Sequence, residues 1–523
     1  MRNESEPRHM HAHCCPCGGG QATDSSGIPR REFFKASGLV LGGVALGGLA
    51  WKTLAGTESG LPTPASRKPL VVQPIFTYPL PQRRPQTSWR AWGGIQTTAD
   101  VQEEENRIKG ELNKLERDAD FPVQFLPLAT IRRVGELDGV EGLTGADLLL
   151  VYAAGDGGGD LTGHLNVICE RGKDVIIFVR HRSGPLYYWY EGISARYLRQ
   201  STDKPAVKVA ADDVVVDSQE DVLWRLRALA GLKNTRGSRI LAIGGPAGWE
   251  TPKAPDLARE KWKLDIQTVT YAELGNLIKQ ARADDTAVSL ARQRAGEYLK
   301  DAGLKLETER RYVENCFLLE QIFRVLLSKA EARAMTINEC MGTIMPMAQT
   351  TACLTLSLLN DAGYMAFCES DFVVIPSGLL LANISGRPVF LNDPTYPHQG
   401  IITLAHCTAP RRLDGQSLDP VRILTHFESD YGAAPKVEMR KGQRVTNLIP
   451  DFKSEHWTGF LGEIVEAPFL PICRSQIEVS YKCPDIRLAE NMPGFHWMTC
   501  YGDYTREVGY ALRRVSILWE NLG

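Results

Sequence analysis

Short continuous runs of apolar residues alternate with amphipathic segments along much of the chain. Residues 146–154 and 174–180 are such runs, and strands that are buried on both faces of a sheet have this pattern. Residues 218–232, and a longer segment that begins at Thr308, instead repeat apolar side chains at helical spacing. The alternation predicts parallel sheets whose strands are joined by helices.

Past residue 410 the pattern changes to short strands separated by turns, most clearly in residues 436–446 and 477–482. The predicted fold class is therefore α/β, with two doubly wound (Rossmann-like) parallel-sheet domains followed by a β-rich C-terminal domain. The predicted divisions are an export signal with its leader at residues 1–51, a linker at 52–90, an N-terminal α/β domain at 91–212, a central α/β domain at 213–410 and the β-rich domain at 411–523.

Composition limits the classes of partner. The chain has 523 residues, of which 43% are hydrophobic and 23% charged, and this balance is typical of soluble globular proteins. Its 60 basic and 62 acidic residues nearly cancel, so the protein has no general positive field that would attract phosphate backbones. We therefore do not expect nucleic acid as a partner.

The N-terminus has the features of a twin-arginine export signal. Arg30 and Arg31 precede a glycine-rich apolar stretch at residues 39–51, which is too short for a stable membrane span. We expect export to the periplasm or another extracytoplasmic space, with a retained N-terminal anchor as the alternative. Three histidines and three cysteines within residues 9–17 could chelate a soft metal, or form a disordered leader that is lost with the signal.

Nine cysteines follow this leader, and none of them belongs to a C-x-x-C pair. Because they are scattered and mostly lie in apolar runs, the sequence predicts buried thiols rather than a disulfide framework or a zinc site. They are Cys169, Cys316, Cys340, Cys353, Cys368, Cys407, Cys473, Cys483 and Cys500.

Polar side chains follow three successive apolar runs of the predicted central domain. Glu369 and Asp371 come directly after the first run. Asp393 follows the second run, and His406 ends the third. If the runs are neighbouring strands, these side chains gather at one edge of a sheet, where such folds bind ligands. Caps and turn formers at the surface are the alternative for any one of them.

Several motifs in the C-terminal half resemble the L-fucose and L-arabinose isomerase superfamily. They are the block at residues 367–411, with Cys-Glu-Ser-Asp and Leu-Asn-Asp-Pro-Thr-Tyr-Pro, and the segments at 425–429 and 496–503. The resemblance extends loosely over residues 120–523. It implies a homo-oligomer that binds a divalent metal such as Mn²⁺ and interconverts aldoses and ketoses through an ene-diol, with a monosaccharide or related polyol as substrate.

The resemblance also implies roles for individual residues. Asp371 and His496 match metal-binding positions of the family, and a carboxylate and an imidazole suit a borderline-hard ion. Glu369 is a further candidate ligand and, together with Asp371, a catalytic candidate. For His496, packing in an aromatic pocket beside Trp497 is the alternative.

The sequence departs from the family upstream of these motifs. Family members carry a catalytic, metal-binding glutamate on the preceding helix, whereas residues 342–359 contain no Asp or Glu. Proton transfer between adjacent carbons needs a base close to the substrate. Either Glu369 or Glu339 serves as this base, or the protein is a catalytically inactive carbohydrate-binding protein on the same fold. A different metal-dependent reaction, such as hydrolysis or epimerisation, is a third alternative.

Further polar residues are candidates for orienting the ligands or for binding the substrate. Asp393 and His406 are candidates for both, and Glu428 for orienting the ligands. In the predicted N-terminal domain, charged donors lie beside aromatic rings of the kind that bind sugars, although a solvated strand end beside core aromatics has the same pattern. The candidates there are Arg180, His181, Tyr188 and Trp189.

Overall fold

A computed structural model describes residues 60–90, 94–155, 167–187 and 209–523. The predicted export signal and its leader lie outside the described residues. Within them, the chain is a mixed α/β protein with two parallel sheets and a large, mainly antiparallel sheet towards the C-terminus. This layout confirms the predicted α/β class followed by a β-rich region.

The elements are defined as follows. The helices of the described residues are α1 (Thr98–Asp118), α2 (Gln219–Thr235), α3 (Ala254–Lys261), α4 (Tyr271–Arg282), α5 (Asp285–Tyr298), α6 (Arg310–Lys329), α7 (Met345–Ala348), α8 (Cys353–Asp361), α9 (Ile375–Ser385), α10 (Asp485–Glu490) and α11 (Thr505–Arg513). The strands are β1 (Leu70–Thr77), β2 (Val123–Phe125), β3 (Ala129–Ile131), β4 (Leu148–Ala153), β5 (Asp174–Val179), β6 (Val214–Val216), β7 (Arg239–Ile243), β8 (Asp265–Val269), β9 (Leu304–Leu306), β10 (Ala334–Ile337), β11 (Met365–Phe367), β12 (Phe390–Pro394), β13 (Ile401–His406), β14 (Val421–Leu424), β15 (Ala434–Val437), β16 (Arg444–Ile449), β17 (His456–Glu466), β18 (Ser475–Ser480), β19 (Trp497–Tyr501) and β20 (Leu518–Asn521). None of these helices is long and apolar enough to cross a lipid bilayer.

The first sheet is parallel, with the strand order β2-β1-β4-β5-β6, and β3 pairs with the far end of β1. Its interior strand β1 lies within residues 52–90, where the sequence predicted a linker, and seven of its eight residues are buried. The linker prediction is therefore wrong for these residues. The strand is hard to recognise in the sequence because Pro74 interrupts its apolar run, many prolines surround it, and proline is uncommon inside sheets. β6 also belongs to this sheet, so the first unit extends past the predicted boundary at residue 212.

The second sheet is parallel as well, with the order β11-β10-β7-β8. The amphipathic helix α6 packs against α5 and α8, and α2 packs against α9. Every residue of α9 is buried, which its uncharged sequence permits. The loops after β7, β10 and β11 leave this sheet at its carboxyl edge, and they supply part of the candidate site.

The largest sheet closes on itself. Its order is β16-β19-β12-β13-β18-β17, all antiparallel, and β16 also pairs with β17, while β20 joins β17 in parallel. β12 and β13 precede residue 410, so the β-rich unit begins earlier than the predicted boundary. The apolar runs of these two strands do not reveal their antiparallel partners, because a fully buried strand has the same pattern in either kind of sheet. A small sheet, β15-β14-β9, lies beside it.

Candidate functional site

The loop after β11 carries two of the candidate carboxylates. Glu369 and Ser370 have left-handed backbone conformations, with φ of 66° and 47°, which are costly for residues that have a side chain. The loop is held against the segment after β7, since Ala247 N–H donates to Ser370 O at 3.2 Å and Phe372 N–H donates to Ala247 O at 3.0 Å. These hydrogen bonds stabilise the strained turn that places Glu369 and Asp371.

Asp371 binds and orients His496. Its Oδ2 lies 2.8 Å from His496 Nδ1, while its Oδ1 accepts the N–H groups of Val373 at 3.0 Å and Trp249 at 3.3 Å. The Asp371 carboxylate is thus occupied on both oxygens. His496 is 1% exposed, and its Nε2 lies 3.2 Å from Glu369 Oε2. Burial lowers the pKa of His496, but its interactions with Asp371 and Glu369 outweigh this effect and raise its pKa well above the usual value.

Glu369 lies between two imidazoles. Its Oε1 is 3.6 Å from His406 Nε2, its Oε2 is 3.2 Å from His496 Nε2, and Trp249 Nε1 donates to Oε2 at 3.2 Å. Burial raises the pKa of Glu369, but its interactions with His406 and His496 outweigh burial and hold the pKa well below the usual range. Glu369 is therefore ionised at neutral pH.

Asp393 and His406 complete the cluster from β12 and β13. Asp393 Oδ1 lies 3.3 Å from His496 Nε2, and His406 Nδ1 is 3.0 Å from Thr408 Oγ1. Burial raises the pKa of Asp393 to about 6, against the opposing effect of the two imidazoles. Burial also lowers the pKa of His406, but Glu369 and Asp393 raise it above the ordinary value overall.

The donor set fits a divalent metal ion. Asp393, His406 and His496 each offer a ligand atom within 4.8 Å of the others, and so do Cys368, Glu369 and His406. In addition, Asp393 Oδ1 and His496 Nε2 are buried 3.3 Å apart without a hydrogen bond of good geometry, although buried polar atoms normally have one. Imidazole and carboxylate ligands suit ions of the manganese, iron and zinc type.

A cavity of about 490 Å³ opens beside this cluster. Glu369 and His406 line it, together with Trp249, Glu339 and Glu428. Asp371, Asp393 and His496 are not among the residues that line the cavity, but His496 contacts Glu369, which does line it. The volume falls within the range of small-molecule sites and exceeds that of a monosaccharide.

The structure brings together all the candidates of the C-terminal half, but at the junction of two sheets and not at one edge of a single sheet, because β11 and β12–β13 belong to different sheets. By contrast, Arg180 and His181 lie at the end of β5 in the first sheet and do not line the cavity. Arg180 is fully buried and forms ion pairs with Glu104 at 2.5 Å and Glu111 at 2.8 Å, so it is a core residue of that unit. The other two candidates of this group, Tyr188 and Trp189, lie outside the described residues.

Sequence reasoning missed two parts of the site. Trp249, in the glycine-rich turn after β7, is not among the predicted site residues. Its position in a loop at the carboxyl end of a strand is the feature that indicates a ligand-binding residue. The second part is a wall of five cysteines with His426, for which the sequence carries no local signal. None of the nine cysteines in the described part of the chain forms a disulfide, and seven of them are buried, as the sequence predicted.

The arrangement as a whole combines carboxylate and imidazole groups that can bind a metal, an ionised carboxylate at the cavity surface and an aromatic ring. Trp249 stacks on Phe495, with ring centroids 4.8 Å apart, and this pair covers one side of His496. Such a site can hold an oxygen-rich ligand against a metal ion while a carboxylate exchanges a proton with it. No model of a known protein family matches this chain, and no curated protein matches it either.

Proposed function

We propose that this protein is a divalent-metal-dependent enzyme that interconverts an aldose and a ketose through an ene-diol, with a monosaccharide or related polyol as substrate. The observation that carries the proposal is the convergence of Asp393, His406 and His496, whose ligand atoms lie within 4.8 Å of one another next to a cavity of about 490 Å³. The resemblance to the fucose and arabinose isomerases supports the same reaction. A bound Mn²⁺ ion would polarise the oxygen atoms of the substrate.

In this proposal each residue of the cluster has one task. Asp393, His406 and His496 hold the ion, and Asp371 fixes the ring of His496 through Nδ1. This assignment changes the role implied by the resemblance, in which Asp371 itself was a ligand, because both of its oxygens already have partners in the protein. Asp371 then acts through His496 and does not touch the substrate.

Glu369 is the proposed base. It lines the cavity and contacts both imidazoles, so it is the carboxylate of the cluster that a bound substrate can reach. Glu339 also lines the cavity, from a left-handed position with φ of 42°. Two carboxylates on one cavity can divide the two proton transfers of an isomerisation between them.

The proposal extends to the finer fold and to the setting of the protein. The two parallel sheets with helical connections support doubly wound, Rossmann-like units. The Arg30–Arg31 pair supports export by the twin-arginine route, and the resemblance supports a homo-oligomer.

Metal content tests the proposal directly. Elemental mass spectrometry on the purified protein should find near-stoichiometric Mn²⁺ or a similar ion in the wild type. The metal should be lost in His496→Ala and retained in His398→Ala, because His398 is an exposed histidine outside the cluster. Negligible metal in all three proteins would overturn the metal-enzyme assignment.

Activity is tested next, with a panel of aldoses and detection of the ketose. We expect turnover by the wild type, and a loss of at least about 100-fold in kcat in Glu369→Gln, since general acid–base groups contribute this much. Metal binding without turnover of any sugar would instead favour the carbohydrate-binding alternative. Calorimetric titration with the same sugars would then measure that binding.

A further inference from the structure

A second cluster of ligating side chains lies in the wall of the same cavity. The Cys407 side chain interacts with the thiols of Cys353 and Cys473 and with the imidazole of His426. Cys353, Cys407 and Cys473 also pack against one another beside Ala434. All four ligating residues line the cavity, and three of them are nearly fully buried, with 3–6% exposure for Cys353, Cys407 and His426.

Four separate elements bring these side chains together. Cys353 begins α8, Cys407 follows β13, His426 follows β14 and Cys473 precedes β18. His406 and Cys407 are consecutive, and neighbouring side chains of an extended chain point to opposite sides. His406 therefore faces the carboxylates while Cys407 faces the thiols, so one strand end serves two chemically different clusters.

The imidazole distinguishes this cluster from apolar packing. Buried thiols alone often act as small apolar side chains. The imidazole of His426, which is 6% exposed among these thiols, is a polar group and does not act in this way. Its Nδ1 lies 3.3 Å from Ser429 Oγ, which leaves Nε2 as the nitrogen for a ligand. A ring fixed through one nitrogen, with the other directed at a metal, is the usual arrangement of a ligating histidine.

We propose that Cys353, Cys407, Cys473 and His426 form a binding site for a soft or borderline metal ion of the Zn²⁺ class. Three thiolates and one imidazole are a common tetrahedral donor set for zinc. Four protein ligands leave no open position, so the bound ion stabilises the cavity wall and does not take part in the reaction. Among the described residues, no three of these four side chains have ligand atoms that all lie within 4.8 Å of one another, so in this proposal the bound ion draws the side chains inward around Cys407.

The site goes beyond the proposed function and does not depend on it. The carboxylate–imidazole cluster suits a harder ion such as Mn²⁺, whereas thiolates select softer ions. Each site can therefore bind or lose its metal ion independently of the other. An experiment that refutes one site leaves the proposal of the other site intact.

Cobalt titration tests the thiol site. The full chain is reduced, stripped of metal and titrated with Co²⁺, which gives an intense thiolate-to-cobalt absorption band only when sulfur binds the ion. We expect the part of this band that corresponds to one equivalent of bound Co²⁺ to be lost in Cys407→Ser and in Cys473→Ser. Cys483→Ser, at a partly exposed cysteine that does not line the cavity, should keep it. The cysteines of the N-terminal leader are present in every protein, so only the difference between proteins is measured.

One further variant distinguishes metal binding at the two sites. His496→Ala should lose Mn²⁺ but keep the full cobalt–thiolate band, because it removes no ligand of the thiol site. A band that is equally strong in wild type, Cys407→Ser and Cys473→Ser would overturn the thiol site. So would the absence of any thiolate band in the reduced wild type.

Discussion

At the scale of single residues, Asp371 determines which nitrogen of His496 is available to a metal. Asp371 lies 2.8 Å from Nδ1, and an ionised carboxylate only accepts hydrogen bonds, so Nδ1 carries the proton. When a metal displaces the second proton of the charged ring, Nε2 holds the lone pair, and it faces Glu369 at 3.2 Å and Asp393 at 3.3 Å. The tautomer of one buried histidine is therefore fixed by one carboxylate.

Replacing Asp371 by Asn tests this role. The Asn amide oxygen can still accept the N–H groups of Val373 and Trp249, but its amide group no longer fixes the proton on Nδ1 of His496. We expect the affinity for Mn²⁺ to fall roughly 10- to 100-fold, as for other residues that orient metal-ligating histidines. Calorimetric titration of the metal-free protein measures this change. Asp256→Asn, at an exposed carboxylate on α3, is the control, and unchanged affinity in Asp371→Asn would contradict the orienting role.

At the scale of elements, a buried ion-pair network joins α1 to the end of β5. Arg180 is fully buried and binds Glu104 at 2.5 Å and Glu111 at 2.8 Å, and Tyr187 donates to Glu104 at 2.5 Å. Burial of charged groups is tolerated only when each has a partner. The network thus fixes the position of the amphipathic helix on the first sheet.

Removing one carboxylate of this network should destabilise the protein. Glu104→Ala leaves the Arg180 Nε group without its carboxylate partner, and we expect the free energy of unfolding to fall by about 3–5 kcal/mol. Glu103→Ala is the matched control, because the neighbouring Glu103 side chain is 75% exposed and pairs with Arg107 at the surface. Its effect should stay within about 0.5 kcal/mol. Denaturation by urea measures both, and equal effects would contradict a structural role for the buried pair.

At the scale of the whole molecule, the candidate metal site joins two sheets. The Asp371–His496 hydrogen bond connects the loop after β11 to the residue before β19, across 125 positions of sequence. Asp393 and His406 come from the closed sheet as well. Because these candidate ligands come from separate elements, the unfolded chain cannot present them together, and an ion held by the proposed site would bind the folded state selectively.

Metal binding should therefore stabilise the folded protein. At a Mn²⁺ concentration 100-fold above the dissociation constant, the expected gain in free energy of unfolding is about 2.7 kcal/mol. Urea denaturation with saturating Mn²⁺ and with a chelator measures this gain. The gain should vanish in His496→Ala, and a gain of the same size in that variant would show that the ion binds elsewhere.

The boundaries of the structural units were only partly accessible from the sequence. The apolar runs at β4 and β5 were identified as buried strands because they are continuous and local. β1 was missed because Pro74 interrupts its run. The boundary at residue 410 was placed too late, since β12 and β13 pair with strands that lie far along the chain. Strand pairing of this kind depends on contacts that no local pattern encodes.

The sequence by itself determined the α/β class and the position of Glu369, Asp371, Asp393 and His406 after apolar runs, because both depend on neighbours along the chain. The tertiary structure alone decided the rest. It placed Asp371 against His496, buried Arg180 in an ion-pair network away from the cavity, and collected the thiols around Cys407. Each of these outcomes depends on contacts between segments that are distant in sequence, and such contacts form only when the sheets pack together.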